Sequence, residues 1–261
     1  MQPYVDMPFH IPPPPDQPPE QLRLVGLDAQ QVEALLCFAY EGQLSVDASN
    51  VQSFMHMSDM YNVKAMFDLC QHFLAKSLSV HNCVGVYVFA QRLQCAQLMS
   101  TAERFILRHF ESVANRSAEF TRLLDADQLA GLLLQHRLYV SDEHLVFSAI
   151  VRWVQFDRLN RSSALARLFS CIRLALINNQ QLLECVLAHS FISCQPALTQ
   201  LVERVLRCKA RLQQLGRPDE QVMCDDEIQT FLTPRFPLGK MRRLFLAPIL
   251  IAMIPKSHGQ I

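Results

Sequence analysis

Proline is absent from residues 20–195, a run of 176 residues that also contains only four glycines. A proline inside a helix costs about 3 kcal/mol, so a long stretch without proline favours helices. We therefore predict a mainly all-α fold for the middle of the chain. Eight of the 14 prolines precede residue 20, and residues 1–21 are predicted to form an extended, disordered proline-rich arm. Five prolines follow residue 217 and mark residues 213–261 as a separate tail.

The charge balance argues against nucleic acid and membranes as partners. The chain has 24 basic and 24 acidic residues, whereas a nucleic-acid-binding domain normally shows a basic patch or stripe. An anionic membrane likewise attracts clustered lysine and arginine. We expect neither kind of partner. Half of the residues are apolar, which is enough to bury a sizeable core.

The nine cysteines are an odd number, and no two are spaced C-x-x-C. The first residues are polar and proline-rich, without the apolar stretch of a secretory signal peptide. Both observations predict free thiols in a reducing compartment, so the expected location is the cytoplasm, with the nucleus as an alternative. Most of the cysteines lie in apolar helical patterns and are expected to be small buried side chains.

The spacing of apolar residues predicts a series of helices. Asp28 and Gln31 form a capping-box pattern, which predicts a helix with Val32, Leu35, Leu36 and Ala39 on one face, ending near Gly42. A brief strand is expected within residues 41–46. No exact internal repeat is evident, but the serial helix pairs predict stacked helical hairpins. Further helices are predicted at residues 50–58, 63–78, 84–93, 99–110, 118–124, 126–134, 163–169, 180–188 and 197–211, and one begins at Ser141.

Several polar or aromatic residues are interpreted as structural. Ser141 is expected to cap a helix with Asp142 and Glu143 in its first turn, and Asn82 to cap another helix. Trp153, the single tryptophan, is expected in the core rather than at a ligand platform. It belongs to a predicted apolar stripe of Val146, Ala149, Ile150, Trp153 and Val154.

Several segments match one known family in order and spacing. Residues 35–44, LLCFAYEGQL, resemble the "fiYtG.l" turn of BTB domains, and residues 80–90, VHNCVGVYVFA, resemble the "NCLgI...A" start of BACK domains. Residues 138–157, LYVSDEHLVFSAIVRWVQFD, are close to the BACK signature "L.v.sE..vf.avl.Wv..D". The chain therefore resembles a kelch-like BTB–BACK protein over residues 24–210. Smaller matches are the two helices of residues 50–78 with Cys70, Phe73 and Leu74, the "eF..L" helix of residues 118–124, Arg161, and the "vRl" motif of residues 171–174.

The resemblance implies a partial BTB domain at residues 22–79 and a BACK domain at residues 80–212. The first half of the BTB domain, which carries the dimer-forming helix and much of the cullin-binding surface, is expected to be missing. Family members continue from BACK into a kelch propeller. Only a resemblance to its lead-in is found here, at Thr233-Pro-Arg235, so the propeller is expected to be missing as well.

The resemblance also implies a function. Members of the kelch-like BTB–BACK family are non-catalytic adaptors that bind the amino-terminal domain of cullin-3. They do so in a cullin-RING E3 ubiquitin ligase, for protein ubiquitination and proteasomal degradation. Their cullin-binding segments match residues 54–63 and 81–104. Met57, Tyr61 and Asn62 are therefore the predicted partner-binding residues, with Met57 and Tyr61 as plain core residues the alternative. Homodimers or heterodimers with BTB proteins are implied too.

Two other functions stay open. One is a cytoskeletal, actin-associated or oligomerisation scaffold without ligase work. The other is a chain that occupies a cullin, or a longer relative, without presenting a substrate.

No motif for catalysis or cofactor binding occurs. The chain lacks G-x-x-x-x-G-K-[ST], G-x-G-x-x-G, G-x-S-x-G and H-E-x-x-H. His72 and His81 each lie two residues from a cysteine, Cys70 and Cys83, but without a four-ligand zinc pattern. We predict no catalytic residue, cofactor or metal and no enzyme activity, although a Cys–His pair that meets only in space stays open.

The tail carries two further features. Asp225 and Asp226 are expected to be solvated. Residues 244–254 are almost wholly apolar, but they number 11 and include Pro248, whereas a membrane span needs about 20 residues. A strand-like or disordered segment is expected there, with a membrane tail anchor as the alternative.

Overall fold

The computed structural model describes residues 26–215, except for the side chains of residues 175, 185–187 and 211–215. The predicted proline-rich arm, nearly all of the predicted tail, Asp225, Asp226 and residues 244–254 lie outside the described residues. Within residues 26–215 no helix is both long and apolar enough to cross a membrane.

The described residues are helical and contain no strand, which confirms the predicted all-α fold. The brief strand expected within residues 41–46 is wrong, because the chain after Gly42 runs as an unpaired loop. The helices are α1 Ala29–Glu41, α2 Val51–Met60, α3 Lys64–Lys76, α4 Cys83–Arg92, α5 Ala96–Arg108, α6 Phe110–Arg116, α7 Ala118–Leu123, α8 Ala126–Leu134, α9 Glu143–Phe156, α10 Arg158–Arg161, α11 Leu165–Ser170, α12 Asn179–Ala188, α13 Ser190–Ser193 and α14 Pro196–Leu215, with 3-10 turns at Ser162–Ala164 and Leu174–Leu176.

The residues before α2 and α4 share one local design. Asn50 and Asn82 precede these helices, and neither side chain caps its helix directly. Each side-chain oxygen instead accepts from the backbone N–H three residues earlier, at 2.8 Å for Asn50 and 2.7 Å for Asn82. Each amide nitrogen donates to the carbonyl five residues earlier, at 3.0 Å and 2.9 Å. Asn82 therefore occupies the N-cap position of α4, as predicted, but its side chain organises the preceding turn instead of capping the helix.

The ends of the same two helices also match. Asn62 and Gln94 adopt the left-handed conformation, with φ of 55° and 53°. The next residue in each case donates its N–H to the carbonyl five residues back, at 2.8 Å and 2.9 Å. This is the Schellman arrangement, which satisfies carbonyls at a helix end.

Together these turns define a structural repeat that is not evident from identical residues in the sequence. The hairpins α2–α3 and α4–α5 start 32 residues apart, and their helices have equal lengths of 10 and 13 residues. The buried positions also correspond. The matching buried pairs are Val51 and Cys83, Phe54 and Val86, Ser58 and Ala90, Met66 and Leu98, Cys70 and Ala102, and Leu74 and Ile106.

The chain groups into two compact units that divide between Cys70 and Gln71, inside α3. In the first unit, Asp28 and Gln31 form the predicted capping box, with bonds of 2.8 and 3.0 Å, and α1 ends at Gly42 in the left-handed conformation. No residue of α1 is buried, and Leu36 is 51% exposed. The apolar face predicted for α1 is therefore not buried among the described residues, since an apolar stripe is buried only where another element packs on it.

The second unit has a core of large aromatic side chains. Phe110 and Phe120 meet edge to face at 5.9 Å between ring centroids, and Phe147 meets Phe169 in the same way at 5.3 Å. These rings come from α6, α7, α9 and α11. The core therefore ties together helices that are distant in sequence.

Trp153 lies in this core, as predicted, at 2% exposure. Its indole N–H donates to the Leu124 carbonyl at 2.9 Å. The Arg161 guanidinium lies over the indole ring, 4.1 Å from its centroid, and also donates to the Trp153 carbonyl at 2.8 Å. A cation over an aromatic face is attractive, so Arg161 covers the outer side of Trp153.

The start of α9 differs from the prediction. Asp142, not Ser141, is the N-cap, and its carboxylate accepts from the His144 N–H at 2.9 Å. The first residue of α9 is Glu143, so the capping position is that of Asp142 and not that of Ser141. Glu143 is buried at 5% exposure and accepts from the Arg173 backbone N–H at 3.4 Å. All residues of the apolar stripe predicted on α9 are buried, as expected: Val146, Ala149, Ile150, Trp153 and Val154.

Arg173 is buried beside Glu143, at 6% exposure, and one of its guanidinium nitrogens lies 3.2 Å from His136 Nδ1. We expect Arg173→Leu to lower the free energy of unfolding by about 1–3 kcal/mol, because it removes the buried contact between the Arg173 guanidinium and the His136 ring. Urea unfolding followed by circular dichroism measures this change.

Arg137→Leu is the matched control, because Arg137 is exposed in the same unit and its replacement should change stability by less than about 0.5 kcal/mol. An Arg173→Leu protein as stable as the control would contradict this account.

Candidate partner-binding surface

The turn between α2 and α3 holds the three predicted partner-binding residues. α2 ends at Met60, and the Tyr61 N–H donates to the Met57 carbonyl at 2.9 Å. Asn62 then takes the left-handed conformation, and its N–H donates to the Asp59 carbonyl at 3.2 Å. Asparagine tolerates this conformation better than most residues with a side chain. The backbone therefore holds Tyr61 and Asn62 in a defined corner.

The three side chains have different surroundings. Met57 is buried at 1% exposure, Tyr61 is half-buried and Asn62 is exposed. Met57 thus lies in the core in this conformation, which was the alternative left open for it. Tyr61 and Asn62 are the two members of the predicted set whose side chains reach the surface.

Exposed apolar side chains occur elsewhere in the first unit, and sequence reasoning did not select them. Leu36 and Met60 are each 51% exposed, Leu69 is 48% exposed and Tyr40 is 85% exposed. Leu36 belongs to the apolar face predicted for α1, and that face is not buried.

The second predicted segment, residues 81–104, spans α4 and the first part of α5. Most of the α4 side chains alternate between buried and half-buried positions. The exposed positions of α5 up to residue 104 are Ala96, Gln97, Ser100 and Arg104, so its outer face is mostly polar. A partner that contacts this face meets hydrogen-bonding groups rather than an apolar stripe.

A close contact fixes the start of α4. The Gly85 N–H donates to the Glu119 carboxylate at 2.8 Å, and a Cβ on Gly85 would lie 3.0 Å from that carboxylate. A negative charge is favourable at a helix N-terminus. Glycine at this position therefore lets α7 bring its carboxylate onto the first turn of α4.

The cysteines near histidine have weakly acidic thiols. Burial raises the pKa of Cys70 to about 11. Burial, and then the negative charge of Glu119, raise the pKa of Cys83 to about 12. Both are neutral thiols at pH 7, whereas a nucleophilic cysteine needs its thiolate. In the described part of the chain, no three His, Cys, Asp or Glu side chains are grouped to hold a metal ion.

Comparison with known proteins gives two family matches in tandem. The family model for the BTB/POZ domain matches residues 3–78, and the model described as "BTB And C-terminal Kelch" matches residues 83–187. The chain belongs to the kelch-like BTB–BACK family. The BTB match begins within the predicted proline-rich arm rather than at residue 22, and the domain bounds drawn from the sequence stay predictions.

The relatives include several kelch-like proteins. The chain is 32% identical to rat Kelch-like protein 7 over 182 residues, which is 70% of this chain and 31% of that protein. It is 32% identical to human Kelch-like protein 25 over 189 residues, 72% of this chain and 32% of that protein. Human Kelch-like protein 4 is 30% identical over 187 residues, 70% of this chain and 26% of that protein. The chain thus spans about a third of the length of the curated relatives it matches.

The residues that carry the BACK resemblance have structural roles. Gly85 and Glu119 join α4 to α7, Arg161 covers Trp153, and Arg173 lies buried beside Glu143. These side chains are used within the BACK region itself. The family signature therefore reports how the BACK helices pack, and it leaves the partner surface to other residues.

The Schellman turns allow a matched stability test. We expect Asn62→Ala to lower the free energy of unfolding by about 1 kcal/mol, because alanine is strained in the left-handed conformation, whereas Asn62→Gly should leave it nearly unchanged. Gln94→Gly should raise it by up to about 1 kcal/mol, since glutamine lacks the tolerance of asparagine at such a position. Chemical denaturation of the three variants gives the comparison, and a destabilised Gln94→Gly protein would contradict the assigned turn.

Proposed function

We propose that this chain is a non-catalytic adaptor that binds the amino-terminal domain of cullin-3 in a cullin-RING E3 ubiquitin ligase. In this role it takes part in protein ubiquitination and proteasomal degradation, in the cytoplasm or the nucleus. Catalysis belongs to the other subunits of the ligase. The observation that carries the proposal is the tandem match, BTB followed directly by BACK, in a member of the kelch-like family.

The α2–α3 turn supports a binding role. Tyr61 presents a half-buried ring at a corner whose backbone is fixed by the bonds around Asn62. A large side chain that is already held in place loses little conformational freedom on binding, and tyrosine is enriched among residues that dominate interface energies. Tyr61 is therefore the proposed anchor for the cullin, with Asn62 beside it.

The chemistry of the described residues also favours binding over catalysis. Several charged groups of the described residues are used in contacts within the fold, among them Glu119, Glu143, Arg161 and Arg173. The two cysteines with a histidine near in sequence have pKa values near 11 and 12. We propose that the chain acts by binding partners through its surface and not through a catalytic group.

We expect Tyr61→Ala to weaken binding to the cullin-3 amino-terminal domain at least about tenfold, as interface anchors do. Asn62→Gly should weaken binding by a smaller factor, because it removes the side chain and keeps the turn. Isothermal titration calorimetry with the full chain measures both, and thermal unfolding verifies that the variants fold.

Tyr139→Ala is the control for the loss of a tyrosine ring. Tyr139 is 54% exposed in the second unit and lies outside both predicted cullin-binding segments, so its replacement should leave the affinity unchanged. Equal affinities for Tyr61→Ala and the unmodified chain would remove Tyr61 as the anchor. No binding of the unmodified chain at tens of micromolar would remove the adaptor proposal.

The exposed side chains of α1 favour a second candidate, assembly with another BTB protein or another copy of this chain. Tyr40 and Leu36 are exposed on a helix that has no buried residue. Light scattering should show a dimer that the double variant Leu36→Ser/Tyr40→Ser converts to a monomer. A monomer before substitution would rule out self-association through α1, and a dimer without cullin binding would favour the scaffold function over the adaptor.

A further inference from the structure

The basic residues of the chain are distributed unevenly between lysine and arginine. Residues 77–208 contain 13 arginines and no lysine. Lysine is ordinarily among the commonest residues of soluble proteins. This long segment, which includes all of α4 to α13 and most of α14, therefore offers no side-chain amine.

Three of these arginines use properties that lysine lacks. Arg152 donates from Nη1 to the Ala114 carbonyl, Arg161 lies flat over Trp153, and Arg173 is buried with its guanidinium near His136. The other ten are exposed. Among these, Arg158 lies over the Phe191 ring, 5.0 Å from its centroid, and Arg167 pairs with Asp127. At most of the other exposed positions lysine would supply the same charge, so packing explains only part of the use of arginine.

Lys209, the first lysine after this segment, is held by the fold. Its ammonium donates to the Ile177 carbonyl, and its side chain is half-buried between α14 and the chain that follows the 3-10 turn Leu174–Leu176. Burial lowers the pKa of Lys209. The hydrogen bond nevertheless directs the amine toward the Ile177 carbonyl, and a reaction there first requires this bond to break.

Lys64 and Lys76 have the opposite environment. They are the first and last residues of α3, and both are exposed. A helix of this length places them about 18 Å apart. Within residues 26–215 they are the lysines that a large reactant can approach from solvent.

Ubiquitin transfer needs such an amine. The neutral ε-amino lone pair attacks the thioester carbonyl that joins ubiquitin to a cysteine of the conjugating enzyme. A C–N isopeptide bond forms, the C–S bond breaks, the thiolate leaves with the electron pair, and the amine proton passes to solvent. The guanidinium of arginine stays protonated and delocalised at neutral pH, and does not act as this nucleophile.

We propose that ubiquitin transfer onto the described part of this chain is confined to Lys64 and Lys76, and that residues 77–209 present no acceptor to the ligase. This inference rests on the proposed adaptor function, because that function places the chain beside an activated ubiquitin. An adaptor of this composition keeps its BACK helices unmodified during the turnover of a substrate.

The first test introduces acceptors at exposed arginines. The full chain is assembled with cullin-3, its RING subunit and a ubiquitin-charged conjugating enzyme, and the modified lysines are mapped by mass spectrometry. Lys64 or Lys76 should carry ubiquitin and Lys209 should not. Arg116→Lys and Arg122→Lys should each create a new modified site, whereas Arg116→Gln and Arg122→Gln should not.

Ubiquitin on Lys209 at a level like that on Lys76 would overturn the inference. The inference would also fail if the introduced lysines stayed unmodified while Lys76 was modified. The protection of residues 77–208 from ubiquitin transfer would then not come from their lack of amines.

The second test needs no ligase. Brief treatment of the folded chain with an amine-acylating ester should modify Lys64 and Lys76 at least about tenfold faster than Lys209, and unfolding in urea should abolish the difference. Equal rates in the folded chain would overturn the protection of Lys209. A chain that fails to bind cullin-3 but shows this difference would refute the proposed function and leave the assignment of accessible amines standing.

Discussion

The ends of short helices are the constraint on which this structure depends. Each helix leaves several N–H and C=O groups without a helical partner, and a chain of many short helices multiplies that cost. In this chain two helical hairpins satisfy these backbone groups in the same way. Asn50 and Asn82 organise the turn before a ten-residue helix, and Asn62 and Gln94 close it in the left-handed conformation. The hairpins thereby keep equal lengths although few of their residues are identical.

The same constraint connects the fold to function. Because hydrogen bonds define the turn at residues 61–63, Tyr61 is presented at a fixed corner rather than on a free loop. In the second unit the charged residues are similarly used for structure, with Glu119 at the start of α4 and Arg161 over Trp153. A molecule built in this way offers positioned surfaces to partners. The family membership and the α2–α3 turn together support the proposed adaptor role.

Local signals made much of the fold predictable from sequence. The capping box at Asp28, the end of α1 at Gly42, the bounds of α8 and the buried stripe of α9 are all present. These features depend on residues within a few positions of one another. The cap of α9 was assigned to Ser141 instead of Asp142 because several polar residues adjoin the start of that helix, and the pattern alone does not select which of them caps.

Contacts between distant segments were not predictable. The bond from Gly85 to Glu119 joins residues 34 positions apart, and that from Arg173 to Glu143 joins residues 30 apart. The burial of Met57 and the exposure of Leu36 likewise depend on what packs on each helix, which the period of apolar residues does not report. The sequence therefore predicts a candidate surface at the α2–α3 turn, but it does not predict which of the side chains there face solvent.

Hydrogen–deuterium exchange of the full chain, with and without the cullin-3 amino-terminal domain, tests the central claim most directly. The account predicts that the cullin slows exchange within residues 54–63 and 81–104 and leaves α9 and α14 unchanged. Exchange that is unchanged throughout at saturating cullin, or slowed only in α9 or α14, would contradict it.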